Sequence, residues 1–266
     1  MALTAVALGS LIGLVLAFTG AGGGILAIPV LVLGLQLPLQ QAGPVGLAAV
    51  GIASAVGAAV GLRSQIVRYR AATLIGTMGM LLAPLGVALA QHLPNRPLLA
   101  AFALIMLWVA WTMLKPSQVN PADDGEPDLP CKVARAGGRL VWTSSCVRAL
   151  VGTGALSGLL SGLLSVGGGF VIVPALARHT DLDIRSVQAT SLAVIALVSI
   201  SGVIAAALHG AMNWAVAIPF SVGATVSLLI GQRLARHLNA AHLRQAFAWL
   251  SLLVASMMLL RAAGAL

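Results

Sequence analysis

Charged side chains are scarce in this sequence: only 8% of its 266 residues are Asp, Glu, Lys or Arg, while 59% are hydrophobic. A soluble domain carries roughly 25% charged residues, so this chain lacks the polar surface that a soluble fold needs. Several of its apolar runs approach the ~20 residues with which a helix spans a bilayer. Because a strand-like alternation of polar and apolar residues is absent, the composition predicts an all-α integral membrane protein and disfavours a β-barrel.

Acidic residues are fewer than basic residues, six against 15, and none of the six lies in an apolar segment. The six are Asp123, Asp124, Glu126, Asp128, Asp181 and Asp183. Transporters of cations and proton pumps usually keep a carboxylate inside the membrane, so its absence here disfavours a cation as the substrate. No Lys or Arg lies in the middle of an apolar segment either. An anion would therefore be held by backbone amides, hydroxyls and helix dipoles.

Catalytic and metal-binding motifs are missing too. The chain has two cysteines, Cys131 and Cys146, without CxxC spacing or a nearby His cluster, so neither a metal site nor another cofactor is expected. A disulfide between them is open, although little in the sequence argues for it. A nucleophile paired with a base, a GxGD pair and an HExxH motif are all absent, which argues against an intramembrane enzyme.

The two halves of the chain are related by an internal repeat at an offset of 145 residues. At this offset the glycine triplet at 22–24 falls on the triplet at 167–169, and Pro29 falls on Pro174. The other aligned pairs include Gly13 with Gly158, Ser54 with Ser199, Gly57 with Gly202, and His92 with His237. These matches predict a tandem duplication with a first repeat over 1–114, a polar linker over 115–145 and a second repeat over 146–266.

Each half contains five apolar segments. In the first half they cover 3–19, 25–35, 44–62, 71–91 and 98–114, and in the second half 146–164, 170–177, 187–208, 214–234 and 245–260. The second segment of each half is short, because about 11 residues give only roughly 16 Å of helix at 1.5 Å per residue. Such a segment cannot cross a hydrocarbon core of ~30 Å. Each half is therefore predicted to contain a helix, a break at its glycine triplet and a half-helix.

Basic residues predict opposite orientations for the two halves. Arg63, Arg68 and Arg70 follow the third segment of the first half, whereas Arg178 and Arg185 follow the second segment of the second half. If basic loops face the cytoplasm, both termini are periplasmic, the linker is cytoplasmic, and the halves form inverted repeats of the kind found in many secondary transporters. The formal net charge of +9 is explained as the same topology signal, so no nucleic acid partner is expected.

The glycine breaks are predicted to form an anion site. Non-helical backbone at membrane depth is tolerated only where protein or a water-filled cavity supplies hydrogen-bond partners. Glycine lets backbone N–H groups approach a ligand closely, and each half-helix directs the positive end of its dipole at the gap. Inversion of the halves would bring the two gaps face to face near the midplane. Close packing of helices through small residues is the alternative explanation of the same glycines.

The candidate substrate-binding residues combine the glycine triplets with nearby hydroxyl and amide side chains. They are Thr19, Gly22, Gly23, Gly24, Ser54, Ser165, Gly167, Gly168, Gly169, Gln188, Thr190, Ser191 and Ser199. Ser54 and Ser199 are equivalent in the repeat, which raises them above the many membrane serines that bond to their own helix. For Gln188, Thr190 and Ser191, near the start of a segment, two roles are open: capping that helix or lining the site.

Two copies of GGGxxxxP, a third segment that opens with QATSL and an inverted architecture in 266 residues resemble the sulfite exporter TauE/SafE family. The resemblance implies a permease of the bacterial inner membrane for sulfite, sulfonates, sulfoacetate or related small anions, with alternating access around a site between the breaks. An anion-selective channel, or a transporter of another small anion such as a carboxylate, is the alternative. At 43–46 GPVG replaces QATS, so the two half-sites are not expected to be equivalent. The expected partners are a small anion and the lipid bilayer, and a homodimer is open.

Overall fold

The computed structural model describes residues 2–20, 22–92, 103–107, 110–111, 130–131, 142–208, 212–234, 245, 249, 252–257 and 259. Eight helices longer than ten residues lie within these ranges. In the first half they are α1 (Ala2–Thr19), α2 (Gly22–Gly34), α3 (Leu39–Arg63) and α4 (Tyr69–His92), and in the second half α5 (Ser144–Leu164), α6 (Gly169–His179), α7 (Ile184–Leu208) and α8 (Trp214–Leu234).

Six of these helices are long and apolar enough to cross a membrane, while α2 and α6 are shorter apolar helices. The all-α prediction is therefore confirmed: this is a multi-pass membrane protein, and the described residues contain no strand beyond one isolated β-bridge. The fifth segment of each half, at 98–114 and 245–260, lies largely outside the described residues, as does the linker at 115–145.

The helices pack in pairs that are related by exchange of the two halves. α1 packs on α8 and α5 on α4, while α3 packs on both α7 and α8, and α4 packs on α7. Each half-helix packs on the helix before it and the helix after it, and α2 also meets α6. Exchanging α1 to α4 with α5 to α8 maps this set of pairs onto itself: the pairs α3–α7 and α2–α6 are unchanged, and every other pair becomes another member of the set.

Glycine spacing explains why the pairs α1–α8 and α4–α5 approach so closely. Seven glycines lie against backbone carbonyl oxygens of the partner helix, where no Cβ would fit: Gly9 against Phe220, Gly13 against Ala224, Gly223 against Val6, Gly86 against Leu159, Gly154 against Ile75, Gly158 against Gly79, and Gly162 against Ala83. Helix association in lipid depends on such close packing, because lipid tails are as apolar as the side chains they would replace. Close packing therefore explains these glycines, which lie outside the two triplets.

Both half-helices turn back along the helix that precedes them. α6 ends at His179, whose carbonyl oxygen accepts a hydrogen bond from the N–H of Cys131 (3.1 Å). Cys131 is in turn disulfide-bonded to Cys146 in the first turn of α5, so the end of α6 lies beside the start of α5. In the first half, Gly34 at the end of α2 lies against the side chain of Leu8 in α1.

The arginines of the described residues lie at one end of the bundle. The N–H of Arg68, between α3 and α4, donates to Thr190 Oγ1 near the start of α7 (3.0 Å), and Gly57 of α3 lies beside Gln232 near the end of α8. The short α6–α7 connection and the disulfide bring the start of α5 to the same end. All seven arginines of the described residues lie at this arginine end, namely Arg63, Arg68, Arg70, Arg148, Arg178, Arg185 and Arg233.

Candidate functional site

The first helix break lies between Thr19, the last residue of α1, and Gly22, the first residue of α2. Gly20 has a positive φ of 73°, which glycine adopts without the steric cost of a Cβ. The last carbonyl oxygens of a helix have no partner within it, and here two side chains of α7 donate to them. Gln188 Nε2 bonds to Phe18 O (2.9 Å) and Ser191 Oγ to Gly20 O (2.8 Å). Side chains of the second half thus stabilise the break of the first half.

The second break covers the residues between α5 and α6. Ser165, Gly167 and Gly168 all have positive φ there, at 54°, 80° and 67°. Ser157 Oγ of α5 donates to Gly168 O (3.1 Å), and a Cβ on Gly168 would collide with Ser157. Ser157 is thus the polar partner of this break.

The glycine triplets occupy different positions in the two halves, which corrects the prediction that both triplets form the break. Gly167 and Gly168 lie in the second break, but residues 22–24 form the first turn of α2, which begins three residues before the predicted start at 25. The physical reason is that a residue with positive φ cannot belong to a right-handed helix. Gly167 and Gly168 have positive φ, so α6 begins only at Gly169, whereas Gly22 and the two glycines after it do not, so α2 begins at Gly22.

Each break also faces the start of a long helix from the other half. At each of these contacts a small residue on one side makes room for a larger side chain on the other. A Cβ on Gly20 would be 2.7 Å from the side chain of Gln188, and a Cβ on Gly43 would be 2.9 Å from Ser165 Cβ. In the repeat, Gly20 is equivalent to Ser165 and Gln188 is equivalent to Gly43. A glycine therefore faces a larger side chain at both breaks, and GPVG at 43–46 accommodates Ser165.

The two breaks meet inside the bundle. Gly24, in the first turn of α2, lies against the carbonyl oxygen of Val166 in the second break, with no room for a Cβ between them. The N-termini of α2 and α6 therefore approach one region from the two halves. The first N–H groups of a helix have no acceptor within the helix, and its dipole adds positive potential at this end. The region offers hydrogen-bond donors without a charged side chain.

Two buried hydroxyl groups lie beside this region, on α3 and α7. Ser54 and Ser199 are 0% and 2% exposed, and neither Oγ has a hydrogen-bond partner among the described residues. Ser199 Oγ is 3.7 Å from the Cβ position of Gly167, and Ser54 lies one turn beyond Val50, whose side chain is 3.5 Å from the Cβ position of Gly24. Because a buried unsatisfied hydroxyl costs about 1–3 kcal/mol, this equivalent pair points to a polar ligand.

The other predicted hydroxyl and amide residues have protein partners. Thr19 Oγ1 donates to Val15 O within α1 (2.8 Å), and Thr190 Oγ1 accepts the N–H of Arg68 at the arginine end. Gln188 and Ser191 donate to carbonyl oxygens at the end of α1. None of these bonds caps α7, which begins at Ile184. The structure therefore brings Gly24 and Gly167 together with Val166 and Ser199, next to Ser165, and Ser54 lies one turn along α3 from Val50. Gln188 and Ser191 support the first break.

Ser157 is the functional candidate that the sequence reasoning missed. It lies in the SGLLSG stretch at 157–162, where Ser157 and Ser161 are both buried. Small residues at four-residue spacing predict that this face of the helix packs closely, and a serine on a buried face needs a hydrogen-bond partner. The four-residue spacing of small residues and the serine on the same face could together have identified Ser157 from the sequence.

An apolar groove of about 680 Å³ runs along α3 and α7 and reaches Ser199. Large exposed side chains such as Ile52 and Ile200 border it. A Cβ on Gly51 would be only 2.6 Å from Ser199 Cβ. The contact of α3 with α7 at Gly51 and Ser199 therefore separates the groove from the second break.

The polar side chains buried in the described part of the chain are all Ser or Thr. In the same residues, no group of three or more His, Cys, Asp or Glu is placed to hold a metal ion. The donors that the described site offers to an anion are therefore backbone N–H groups and serine hydroxyls.

The described residues contain six helices that are long and apolar enough to cross a membrane and two half-helices whose N-termini meet beside buried serines. These are features of an integral membrane transporter. The family model for the sulfite exporter TauE/SafE matches residues 5–258, so the chain belongs to this family. Similar proteins include two from Xylella fastidiosa, each named a probable membrane transporter protein. The relative from strain Temecula1 is 28% identical over 239 residues, and the relative from strain 9a5c is 29% identical over 236 residues, with 88% of this chain and 84% of the relative covered in both cases. No solved structure matches the chain. The protein is a membrane transporter, not an enzyme.

Proposed function

We propose that the protein transports small sulfur-containing anions, such as sulfite, sulfonates or sulfoacetate, and that the anion is held between the two helix breaks near the middle of the membrane. The observation that carries the proposal is the contact between Gly24 and the carbonyl oxygen of Val166. This contact brings the N-termini of two half-helices to one place. Helix N-termini bind oxyanions through their free N–H groups and their dipole, and Ser54 and Ser199 supply two further donors.

Neutral donors suit an anion that must leave the site again. A buried Lys or Arg would hold an oxyanion in a charge-assisted pair roughly twice as strong as a neutral hydrogen bond, and transport needs binding weak enough for release. The buried polar side chains of the described residues carry no charge. The oxygens of a sulfite or sulfonate group can accept hydrogen bonds from both breaks at once.

The proposed cycle is alternating access around this site. The pairs α1–α8 and α4–α5, with their close backbone contacts, act as rigid units. The positive-φ residues Gly20 and Ser165 lie between each rigid unit and its half-helix, where a few residues can absorb the change of angle. Rocking of one pair against the other would open the site to one side of the membrane at a time.

We propose that the arginine end lies on the cytoplasmic side of the bacterial inner membrane, because loops rich in Arg stay on that side. This orientation puts both termini in the periplasm, gives the two halves opposite directions and leaves the polar linker in the cytoplasm.

The test is flux through the purified protein in proteoliposomes. Sulfite, sulfoacetate, an aryl sulfonate, sulfate and acetate are compared at constant ionic strength, with protein-free vesicles as the control. Saturable flux of one or more sulfur anions, with little flux of acetate, supports the proposal. Equal flux of acetate would contradict the substrate class, and flux that rises linearly with concentration would favour a channel.

A further inference from the structure

The only two cysteines of the chain form a disulfide bond, Cys131–Cys146, away from the proposed anion site. Both residues are buried, at 0% and 1% exposure. Cys146 lies in the first turn of α5, and Cys131 lies 15 residues earlier, in the polar linker. The bond therefore fixes one point of the linker to a membrane-crossing helix.

Cys131 is also bonded to the end of the half-helix α6. Its N–H donates to His179 O (3.1 Å), and it forms a parallel β-bridge with Thr180. On the other side, Thr143 accepts the N–H of Cys146 (3.1 Å) and donates to Pro130 O (3.0 Å). Cys131 thus joins the start of α5 to the end of α6. Because the opposite end of α6 carries the second break, the disulfide restrains the half-helix that the proposed transport cycle moves.

Two rules disagree about the compartment in which this bond lies. The disulfide is at the arginine end, where seven arginines indicate the cytoplasm. Disulfides are rare in the cytosol, and the ones found there are usually transient and catalytic or redox-sensing. Both observations are satisfied when the bond forms and breaks with the redox state of the cytoplasm. We infer that Cys131 and Cys146 form a reversible redox latch on α6; the inference goes beyond the proposed function and rests on the orientation proposed with it.

The latch closes by thiol–disulfide exchange with a small-molecule or protein disulfide. The thiolate of one cysteine attacks the oxidant, forming a mixed disulfide and releasing one thiol, and the second cysteine then displaces the other thiol. Two electrons and two protons leave the protein, and the oxidant becomes two thiols. A dithiol reductant reverses both steps. In the reduced protein, Cys131 is no longer covalently bonded to Cys146 of α5. Its backbone contacts with His179 and Thr180 then no longer fix the end of α6 to the start of α5, so α6 is freer to move.

The first test measures the redox state and its compartment. Cells that express the protein are quenched with acid, and free thiols are counted by the mass that a maleimide–polymer adds, which reports this pair alone because the chain has no other cysteine. We expect two free thiols in unstressed cells, none after treatment with diamide, and recovery after the oxidant is removed. In a Cys131→Ser/Cys146→Ser background, Ser64→Cys at the exposed α3–α4 connection should resist a membrane-impermeant maleimide until the membrane is broken.

The second test measures the restraint on α6 by hydrogen exchange of the purified protein. We expect amides in the last turn of Gly169–His179 to exchange about tenfold faster after reduction, because one covalent constraint on local opening is lost. The equivalent half-helix Gly22–Gly34 has no cysteine and is the internal control, with unchanged exchange expected. The Cys131→Ser/Cys146→Ser variant should show the fast rate under both conditions.

Two results would overturn the latch. A pair that stays oxidised in unstressed cells, with Ser64→Cys labelled from outside, would make it a permanent cross-link in an oxidising compartment. Equal exchange of α6 in the two redox states would mean that the bond does not restrain the half-helix. Neither readout uses a sulfur anion, so a wrong substrate class leaves the latch standing.

Discussion

Ser54 and Ser199, the two serines without a hydrogen-bond partner, give the sharpest test of the anion site. Removing either hydroxyl should stabilise the ligand-free protein but weaken binding of the transported anion. Ser199→Ala removes an Oγ that has no hydrogen-bond partner among the described residues and keeps nearly the same volume. An unsatisfied buried hydroxyl costs about 1–3 kcal/mol. The ligand-free Ser199→Ala protein should therefore unfold at a higher temperature than the parent, by about 2–4 °C for each kcal/mol in a chain of this size.

Transport should change in the opposite direction. A hydrogen bond to a charged group contributes about 1.5–3 kcal/mol, and 1.4 kcal/mol corresponds to a factor of about ten in affinity. Ser199→Ala is therefore expected to weaken the apparent affinity for the transported anion about 10- to 150-fold. Ser54→Ala should behave alike, because the two serines are equivalent in the repeat.

The assay pairs thermal unfolding in detergent with concentration-dependent flux in proteoliposomes. Ser201→Ala is the matched control: it is on the same helix, but its Oγ donates to Val198 O (2.9 Å). It should lose a little stability and leave flux unchanged. A Ser199→Ala protein that is more stable and transports like the parent would refute the binding role and leave Ser199 as a merely buried serine.

The remaining predictions concern packing and the first break. Gly158→Leu places a side chain against Gly79 O and should lower the unfolding free energy by about 1–3 kcal/mol or more, because it overpacks the contact between the helices. Gly152→Leu is the control on the same helix, since its side chain meets open space and should have little effect. Equal unfolding temperatures of the two variants would contradict the close packing at Gly158. Gln188→Ala leaves Phe18 O without its side-chain partner and should lower the unfolding free energy by about 1–3 kcal/mol. Gln36→Ala is the control, because the bond from Gln36 to Leu33 O is exposed and its loss should change stability little. An unchanged unfolding temperature of Gln188→Ala would mean that Gln188 does not support the first break.

The long helices could be predicted closely from the sequence. The segment predicted at 214–234 has the bounds of α8, and the other spans begin within a few residues of the predictions. Apolar composition determines these helices almost alone, because polar residues or Gly and Pro end each run. The disulfide could not be predicted, because it depends on the end of α6 and the linker meeting beside Cys146, a contact between distant parts of the chain.

The breaks were harder to predict because glycine serves several purposes in this chain. The same residue type forms a helix interface at Gly158, a left-handed turn at Gly168 and a first helical turn at Gly24. Only φ angles and neighbouring atoms separate these roles. Gly168 shows the consequence: a bulky residue there would collide with Ser157, so loss of transport in such a variant would report damage to the break rather than contact with substrate.

The asymmetry of the two halves has a physical consequence for the transport cycle. Equivalent breaks alone would let the two half-helices move with equal ease, but their supports differ. α2 is restrained at its break, where Gln188 and Ser191 bind the end of α1, while α6 is restrained at both ends, by Ser157 and by the Cys131 link. The position equivalent to Cys146 is Met1, so the first half has no counterpart of the disulfide. We therefore expect α2 to be the freer half-helix when the latch is closed, and opening of the latch to make the two halves more nearly equal.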